Sequence, residues 1–483
     1  MKAHRVLFVA SEAVPFSKTG GLADVAGALP RALKRRGCDV RVVLPFYRST
    51  RESGIRFESC LENLPVELAA RALPAKVLRA HMEEGVSCYF VQRDDLYDRD
   101  HLYATPKGDY PDNALRFTYF SKAAFALCEA LSFAPDVLHC HDWQTALAPA
   151  YLEHHFGPTA PFRKTRSLLT LHNIAYQGMF PSSEFPLTGL PDAFLSVGGM
   201  EFWGKMNFLK AGLVTAHALN TVSPSYSREI LTEEMGYGLE GVLAGREQDL
   251  YGILNGADYG EWDPGRDPHL PCAYGPDSLE GKEACKAALL EEVGDGAGGG
   301  AGPLFGMITR LTSQKGVDLL LEGLPDMMAM GASFVLLGDG EERYRAPLEE
   351  LSSAYPGRFM FRYGFDMGLA HRIQAGIDFL LMPSRYEPCG LNQIYSMRYG
   401  SIPVVRATGG LKDTVQEFSP STQEGTGFLF EAYDAAAMLR AVEKAVNLYP
   451  DRALVERLRT NCMDQSFTWD RAAEAYLELY EKL

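Results

Sequence analysis

Short apolar runs alternate with amphipathic helical stretches along the whole chain, and that alternation restricts it to parallel sheets flanked by helices. Arg5 to Ala10 reads as a strand, a loop follows, and a helix begins near Gly21 with Leu22, Val25, Leu29 and Leu33 on one apolar face. Lys34-Arg35-Arg36 complement the negative end of its dipole, Gly37 supplies its cap, and Pro30 should kink it. Further strands are expected at Asp39 to Leu44, Val86 to Val91, Asp136 to Cys140, Ser167 to Leu171 and Ala218 to Val222. Ser223-Pro224 then starts a helix as N-cap and first helical residue. The pattern breaks around residue 255, where Gly252 to Gly256 leads into a stretch rich in Asp, Pro and Gly up to about Asp277, a candidate domain boundary. A second series follows, with strands at Leu304 to Thr309, Phe334 to Leu337, Phe359 to Tyr363, Phe379 to Met382, Ile402 to Val405 and Gly427 to Phe430. The Gly-rich run Gly294 to Gly302 reads as a surface loop, because no helix follows it to make a phosphate cradle.

The expected fold class is therefore α/β, with two doubly wound domains and a cleft between them, although 483 residues also admit three units by simple division. An apolar content of 46% against 23% charged residues supplies a sizeable core. The net charge of −15 argues against a nucleic-acid or anionic-membrane surface. No apolar run approaches the ~18 residues of a membrane helix, and Val6 to Ala10 is too short for a signal-peptide core. Nine cysteines, an odd number with no Cys-x-x-Cys pair, read as reduced thiols in a cytoplasmic protein.

Ligands of open α/β sheets sit beyond the carboxyl ends of the strands, and the unusual residues lie in the loops that follow strands. Lys18-Thr19-Gly20-Gly21-Leu22 joins two glycines, which let a ligand approach the backbone, to a helix start and a mobile cation. It has neither the Walker A spacing nor a Gly-x-Gly-x-x-Gly fingerprint, so its other reading is an ordinary turn with a solvated Lys. Arg310-Leu311-Thr312-Ser313-Gln314-Lys315-Gly316 puts two cations in one short loop beside a helix start, the arrangement a diphosphate clamp needs. Ser384-Arg385-Tyr386-Glu387-Pro388-Cys389-Gly390-Leu391 offers backbone N–H groups for sugar hydroxyls and Glu387 as a single acceptor. Thr408-Gly409-Gly410-Leu411 repeats the glycine pair at a helix start, which suggests a nucleotide sugar whose diphosphate is held from both sides. His139 and His141 alternate on one strand face with Asp142 next, so a metal site must be weighed. No third ligand appears at helical spacing, and polar ligands at a strand end are the preferred reading. Asp98-Arg99-Asp100 matches the Asp-x-Asp pattern of metal-dependent sugar transferases, but a solvated loop accounts for it better.

At these motifs the chain resembles the bacterial glycogen synthase and plant starch synthase family, ADP-glucose-dependent glucosyltransferases of the GT-B fold with two Rossmann-like domains. KTGGLADV, HCHDW, TLHNIAYQG, GILNGADYGEWDP, ITRLTSQKG, SRYEPCGL and TGGLKDTV stand in the family's order, and the resemblance runs from Arg5 to about Tyr480. It implies an acceptor-side domain over residues 1–256, a nucleotide-sugar domain over 257–463, and a final helix over 464–483 crossing back to the first domain. Trp469, Ala473, Tyr476 and Tyr480 line one side of that helix. The implied reaction is a retaining transfer of glucose from ADP-glucose to the non-reducing end of an α-1,4-glucan, with glycogen or maltodextrin as primer and with no metal and no cofactor.

By the same resemblance Lys18, with Gly20 and Gly21, contacts the donor phosphate, and Asp24 lines the donor cleft. His172 lies beside the glucosyl 6-hydroxyl, and Asn255 at the hinge side of the donor pocket. Arg310 and Lys315 match the diphosphate cations, Glu387 the essential carboxylate, and Cys389, Gly390 and Leu391 the turn holding the sugar. Thr408, Gly409 and Gly410 complete the donor side. Departures from the family pattern are Gln144 in the HDW block, Met367 after Gly364-Phe365-Asp366, and Asn392 where Thr is often found beside the phosphates. Eight residues after Glu387 stands Tyr395, so no carboxylate pair is available. Two other functions fit the same frame, a nucleotide-sugar epimerase and a non-catalytic glucan-binding paralogue. The EPCGL and KTGGL blocks together argue against the first, and retention of Glu387, Arg310 and Lys315 against the second.

Overall fold

The structure, a computed structural model, describes residues 3–68, 71–105, 107–294 and 302–483. Most of the Gly-rich run expected as a loop, residues 295–301, lies outside the described residues. The two strand series form two compact units, Met1–Gly256 with Trp469–Leu483, and Ala257–Thr468.

In the first unit nine strands make one sheet: β1 (Arg5–Val9), β2 (Asp39–Pro45), β3 (Glu58–Leu64), β4 (Ala75–His81), β5 (Ser87–Gln92), β6 (Val137–His141), β7 (Arg166–Leu171), β8 (Ala218–Thr221) and β9 (Leu250–Gly252). Their order is β9-β8-β7-β6-β1-β2-β5-β4-β3. The strands from β9 to β5 run parallel, and apart from the half-buried edge strand β9 their middles are largely buried, which explains the apolar runs in the sequence. β3 and β4 are antiparallel additions at one edge. Sequence reading passes over them because ESCLENL and AKVLRAH mix polar and apolar residues, as strands with one wet face do.

Helix α1 (Gly21–Arg35) is helical throughout, with Pro30 inside a single uninterrupted run. Gly27 is why the preceding loop can lie against it, since a Cβ there would fall 2.8 Å from the Val14 carbonyl oxygen. The chain's last helix also belongs to this unit, burying Trp469, Ala473, Tyr476 and Tyr480 against Leu29 and Leu33 of α1. Polar contacts fix its rotation: Nδ1 of His139 shares a hydrogen bond with the Tyr480 hydroxyl (2.7 Å), and Asn220 donates to the Tyr476 hydroxyl (2.8 Å). The other ring nitrogen of His139 meets Thr170 Oγ1 at 2.8 Å. Both nitrogens are thus engaged in the core, and burial holds the pKa of the ring well below its ordinary value. Asp98 and Asp100 pair with Arg48, and Asp98 also with Arg51 (3.0 Å), so the Asp-x-Asp segment is the acidic half of a surface ion network.

The second unit is a wholly parallel sheet of six strands: β10 (Leu304–Leu311), β11 (Ser333–Gly340), β12 (Phe359–Tyr363), β13 (Phe379–Met382), β14 (Ile402–Arg406) and β15 (Phe428–Phe430). Its order, β12-β11-β10-β13-β14-β15, is the doubly wound 3-2-1-4-5-6 arrangement, with the reversal of winding between β10 and β13. Helices α2 (Val317–Ala329), α3 (Asn392–Arg398) and α4 (Gly409–Thr414) follow β10, β13 and β14; the chain's last helix, Trp469–Lys482, is α5. No helix among the described residues is long and apolar enough to cross a membrane, and all nine cysteines are unpaired.

One buried carboxylate anchors this sheet. Asp378 accepts from Lys286 Nζ and Arg459 NH2, both at 2.6 Å, and from the Leu304 main-chain N–H at 2.8 Å, tying the start of β10 to the start of β13. Removing one member of a buried pair strands the others' charge. Asp378→Ala is expected to lower the unfolding free energy by about 3–5 kcal/mol, measured by urea unfolding of the intact chain; a loss below about 1 kcal/mol would remove Asp378 from this role.

Candidate active site

In the second unit the point of reversed winding is also a gap. β10 and β13 pair only at Phe305–Phe379 and Gly306–Leu380. Beyond those two positions they part, and Met307 to Arg310 face Leu381 and Met382 across a cavity of about 190 Å³. Lys315, Ser384 and Asn392 complete its wall.

Glycines decide how closely the surrounding loops pack. Gly316 is left-handed (φ 73°), and a Cβ there would fall 2.1 Å from the Pro383 carbonyl oxygen. A Cβ on Gly409 (φ 45°) or Gly410 would lie 2.0 Å from the carbonyl oxygen of Glu387 or Cys389 respectively. The Gly410 N–H donates to the Glu387 carbonyl at 3.0 Å. The glycine pair therefore seats its loop on the Glu387–Cys389 turn, a use that the sequence, read only for ligand approach, did not disclose. Gln393 closes the same turn, donating from Nε2 to the Cys389 and Gly390 carbonyls at 3.1 Å each. Gly390 takes φ 70°, and Leu391 and Thr408 are the N-cap residues of α3 and α4. Asn392 lines the cavity and braces β10 by donating to the Ile308 carbonyl at 2.7 Å.

At the centre, Glu387 is only 5% exposed, and its Oε2 accepts from Lys315 Nζ at 2.6 Å and from Ser384 Oγ at 3.0 Å. A buried carboxylate requires such partners. Lys315 and Glu387, read from sequence as a cation and an acceptor each awaiting a ligand, instead satisfy one another. Arg310 differs: it is exposed, and its guanidinium makes no ion pair among the described residues.

The first unit gathers a second set at the carboxyl ends of β1, β6 and β7. Lys18 is half-exposed and pairs with Asp24 at 2.7 Å, so the charge expected to be mobile is tethered to the first turn of α1. Gly20 is the N-cap of α1, and a Cβ on Gly21 would meet no atom within 4 Å, which leaves the helix start open on that side. Behind this loop stands Glu12, buried, accepting from both the N–H and the hydroxyl of Thr19 at 2.7 Å. Sequence reasoning missed it; the only signal was an acid among apolar neighbours just after a strand. Asp142, at φ 53°, accepts from the His172 main-chain N–H at 2.7 Å, and His172 Nε2 meets His141 Nδ1 at 3.0 Å. Burial pushes the His172 ring down to about 3, so it is neutral near pH 7. Asn255, after β9, is buried, with no hydrogen-bond partner for its Oδ1 among the described residues.

Burial raises the Glu12 carboxyl from 4.5 to about 7, and the Asp142 carboxyl likewise from 3.8 to about 7. The folded chain therefore holds more protons than the unfolded one between these values, and stability falls as pH rises through that window. In Glu12→Gln the decline in Tm between pH 5 and 8 is expected to be shallower than in wild type; an unchanged slope would contradict the burial of an acid at this position.

Comparison with known proteins gives a consistent set of matches. Residues 5–245 match the family model described as starch synthase catalytic domain, and residues 299–461 that of glycosyl transferases group 1. The chain is 45% identical to a glycogen synthase of Koribacter versatilis, covering 99% of this chain and 98% of that one. It is 46% identical to a glycogen synthase of Anaeromyxobacter dehalogenans, covering 99% of each. The catalytic domain of starch synthase IV from Arabidopsis thaliana, solved bound to ADP and acarbose, matches with a TM-score of 0.91 at 32% identity, over 100% of this chain and 99% of that one. Sucrose-phosphate synthase from Thermosynechococcus elongatus, with a TM-score of 0.59 at 17% identity over 99% of this chain and 98% of that one, is similar in fold alone.

Proposed function

The chain belongs to the starch and glycogen synthase family, as a GT-B glycosyltransferase with glycogen synthase activity, and from that premise we propose that its donor is ADP-glucose and that transfer retains the anomeric configuration. The glucosyl C1–oxygen bond to the β-phosphate breaks, and a bond forms from C1 to the 4-hydroxyl at the non-reducing end of an α-1,4-glucan. The acceptor proton goes to the departing phosphate, so ADP leaves without a strong general acid.

The observation that carries this reading is the buried Lys315–Glu387 pair beside the β10–β13 cavity, with Arg310, which makes no ion pair among the described residues, on the cavity wall. Charge that develops on a leaving diphosphate is stabilised by cations already in place. Arg310 supplies one cation; Lys315 supplies a second while fixing the carboxylate of Glu387 beside the transferred glucose. The N–H groups of Cys389, Gly390 and Leu391 bind sugar hydroxyls, with Asn392, Thr408, Gly409 and Gly410 completing the donor side. From the first unit, Lys18 and the Gly20–Gly21 helix start contact the donor phosphate, with Asp24 orienting Lys18. His172, being neutral, exchanges hydrogen bonds with the 6-hydroxyl, and the unpartnered Asn255 Oδ1 serves the donor pocket. Tyr395, stacked on Trp262 with 4.4 Å between ring centroids, occupies the position of a second carboxylate, which favours same-face attack over a covalent glucosyl-enzyme. Nine unpaired thiols support a reducing, cytoplasmic setting.

A donor panel with glycogen as primer tests the proposal. ADP-glucose is expected to sustain nucleoside diphosphate release only when glycogen is present; equal release without primer, or a preference for UDP-glucose, would overturn it. Glu387→Gln is expected to lose most of kcat with ADP-glucose affinity largely kept. Lys315→Ala should lose on the order of 10²–10³ in kcat, and single-turnover assays with labelled donor measure both.

A further inference from the structure

The residues above follow the carboxyl ends of the first unit's strands, whereas the amino ends of β7 and β8 carry a different arrangement. There the loop 157–165, the end of the helix Phe208–Thr215, and Arg246 surround an open cavity of about 710 Å³, within the size range of small-molecule sites. β7 has six residues, so at roughly 3.3 Å per residue this cavity is about 16 Å along the strand from the His172 end. One wall begins with a π-helical turn, Leu152–Phe156, a conformation often kept for function.

In a chain of net charge −15 this cavity is basic, with Arg163, Arg166 and Arg246 against a single acid, Glu153. Arg246 is fully engaged, with Asp249 Oδ2 at 2.8 Å and the Leu213 and Ala216 carbonyls at 2.7 and 2.8 Å. Arg163 is exposed and, like Arg166, has no carboxylate partner among the described residues.

The side-chain partner that Arg166 does have is neutral. Its NH1 lies 2.9 Å from His217 Nε2, while the Ser167 main-chain N–H approaches Nδ1 of the same ring at 3.1 Å. A neutral imidazole accepts at one nitrogen only, and a protonated one at neither. Burial, with Arg166 and Arg246 nearby, holds the ring pKa below its ordinary value and keeps the ring neutral. Ser167 Oγ lies 2.9 Å from Nδ1, so Nδ1–H donates to that hydroxyl and Nε2 accepts from Arg166, which occupies one of the five guanidinium N–H groups. Arg166 thus keeps its full charge and its other N–H groups facing the cavity, with only a neutral ring beside it among the described residues.

We infer that this cavity binds a small phosphate ester, its phosphate gripped by Arg163 and Arg166 and its organic part lying against Leu152, Phe162 and Val214. Two guanidinium forks from separate residues suit the several terminal oxygens of a phosphate better than the two of a carboxylate. The volume exceeds what a bare anion fills, and the apolar wall gives the remainder of the molecule a surface.

Calorimetric titration of the full chain tests this, with glucose 1-phosphate, glucose 6-phosphate and glycerol 3-phosphate as probes and glucose and inorganic phosphate as controls. At least one ester is expected to bind saturably, at least about tenfold more weakly to Arg163→Glu, the loss of one charge-assisted contact, and unchanged to Lys315→Ala. Because Arg163 is exposed and unpaired, its replacement should leave glucosyl transfer within about twofold of wild type, certifying the fold. Three outcomes overturn the inference: no saturable binding of any ester, binding lost in Lys315→Ala but kept in Arg163→Glu, or inorganic phosphate binding as tightly as the best ester.

Discussion

The separation of β10 from β13 after two paired residues is the constraint on which the rest of the second unit depends. Parallel strands at a reversal of winding send their connections to opposite faces, so no helix covers the space beyond them. That space is worth having only if the loops around it are held rigidly. The left-handed Gly316, the Gly409–Gly410 pair and the Gln393 amide do this by letting three turns touch backbone to backbone. Glu387 can then be buried because Lys315 and Ser384, arriving at hydrogen-bonding distance, offset its desolvation.

The first unit meets the same demand with a different chemistry. Its strand ends hold buried carboxylates whose partners are mainly neutral N–H and hydroxyl groups: Glu12 with Thr19, Asp142 with the His172 main chain. Neutral donors compensate desolvation only in part, which is why both acids are pushed up to about 7. Glu387 faces a full cation across 2.6 Å. The contrast leaves Glu12 suited to positioning the Lys18–Gly21 loop from behind, and Glu387 to holding Lys315 and Ser384 on the cavity wall.

Much of this was legible in the chain. The strands of both sheets stand out because parallel strands buried on both faces leave unbroken apolar runs, as in RVLFV and FLLM. Arg310, Lys315 and Glu387 could be picked out because charged residues at or just beyond the carboxyl ends of such strands have few structural reasons to be there. β3 and β4 escaped because a half-wet edge strand has no such signature. Glu12 escaped because nothing around it in sequence announces that Thr19 folds back upon it. Lys18 and Asp24 were each noticed, but their pairing depends on the turn between them.

What the sequence determined alone was periodicity and chemistry: where strands and helices fall, that they are wound as parallel sheets, and which loops carry cations, acids and glycines. Those properties are local and survive without long-range contacts. Tertiary structure decided partnership: that Lys315 neutralises Glu387, that Gly409 and Gly410 serve a neighbouring turn, that His139 fastens the final helix, and that Arg166 meets a neutral imidazole instead of a carboxylate. Partnership depends on distances between segments far apart in the chain, fixed only when the sheet order and strand register are set.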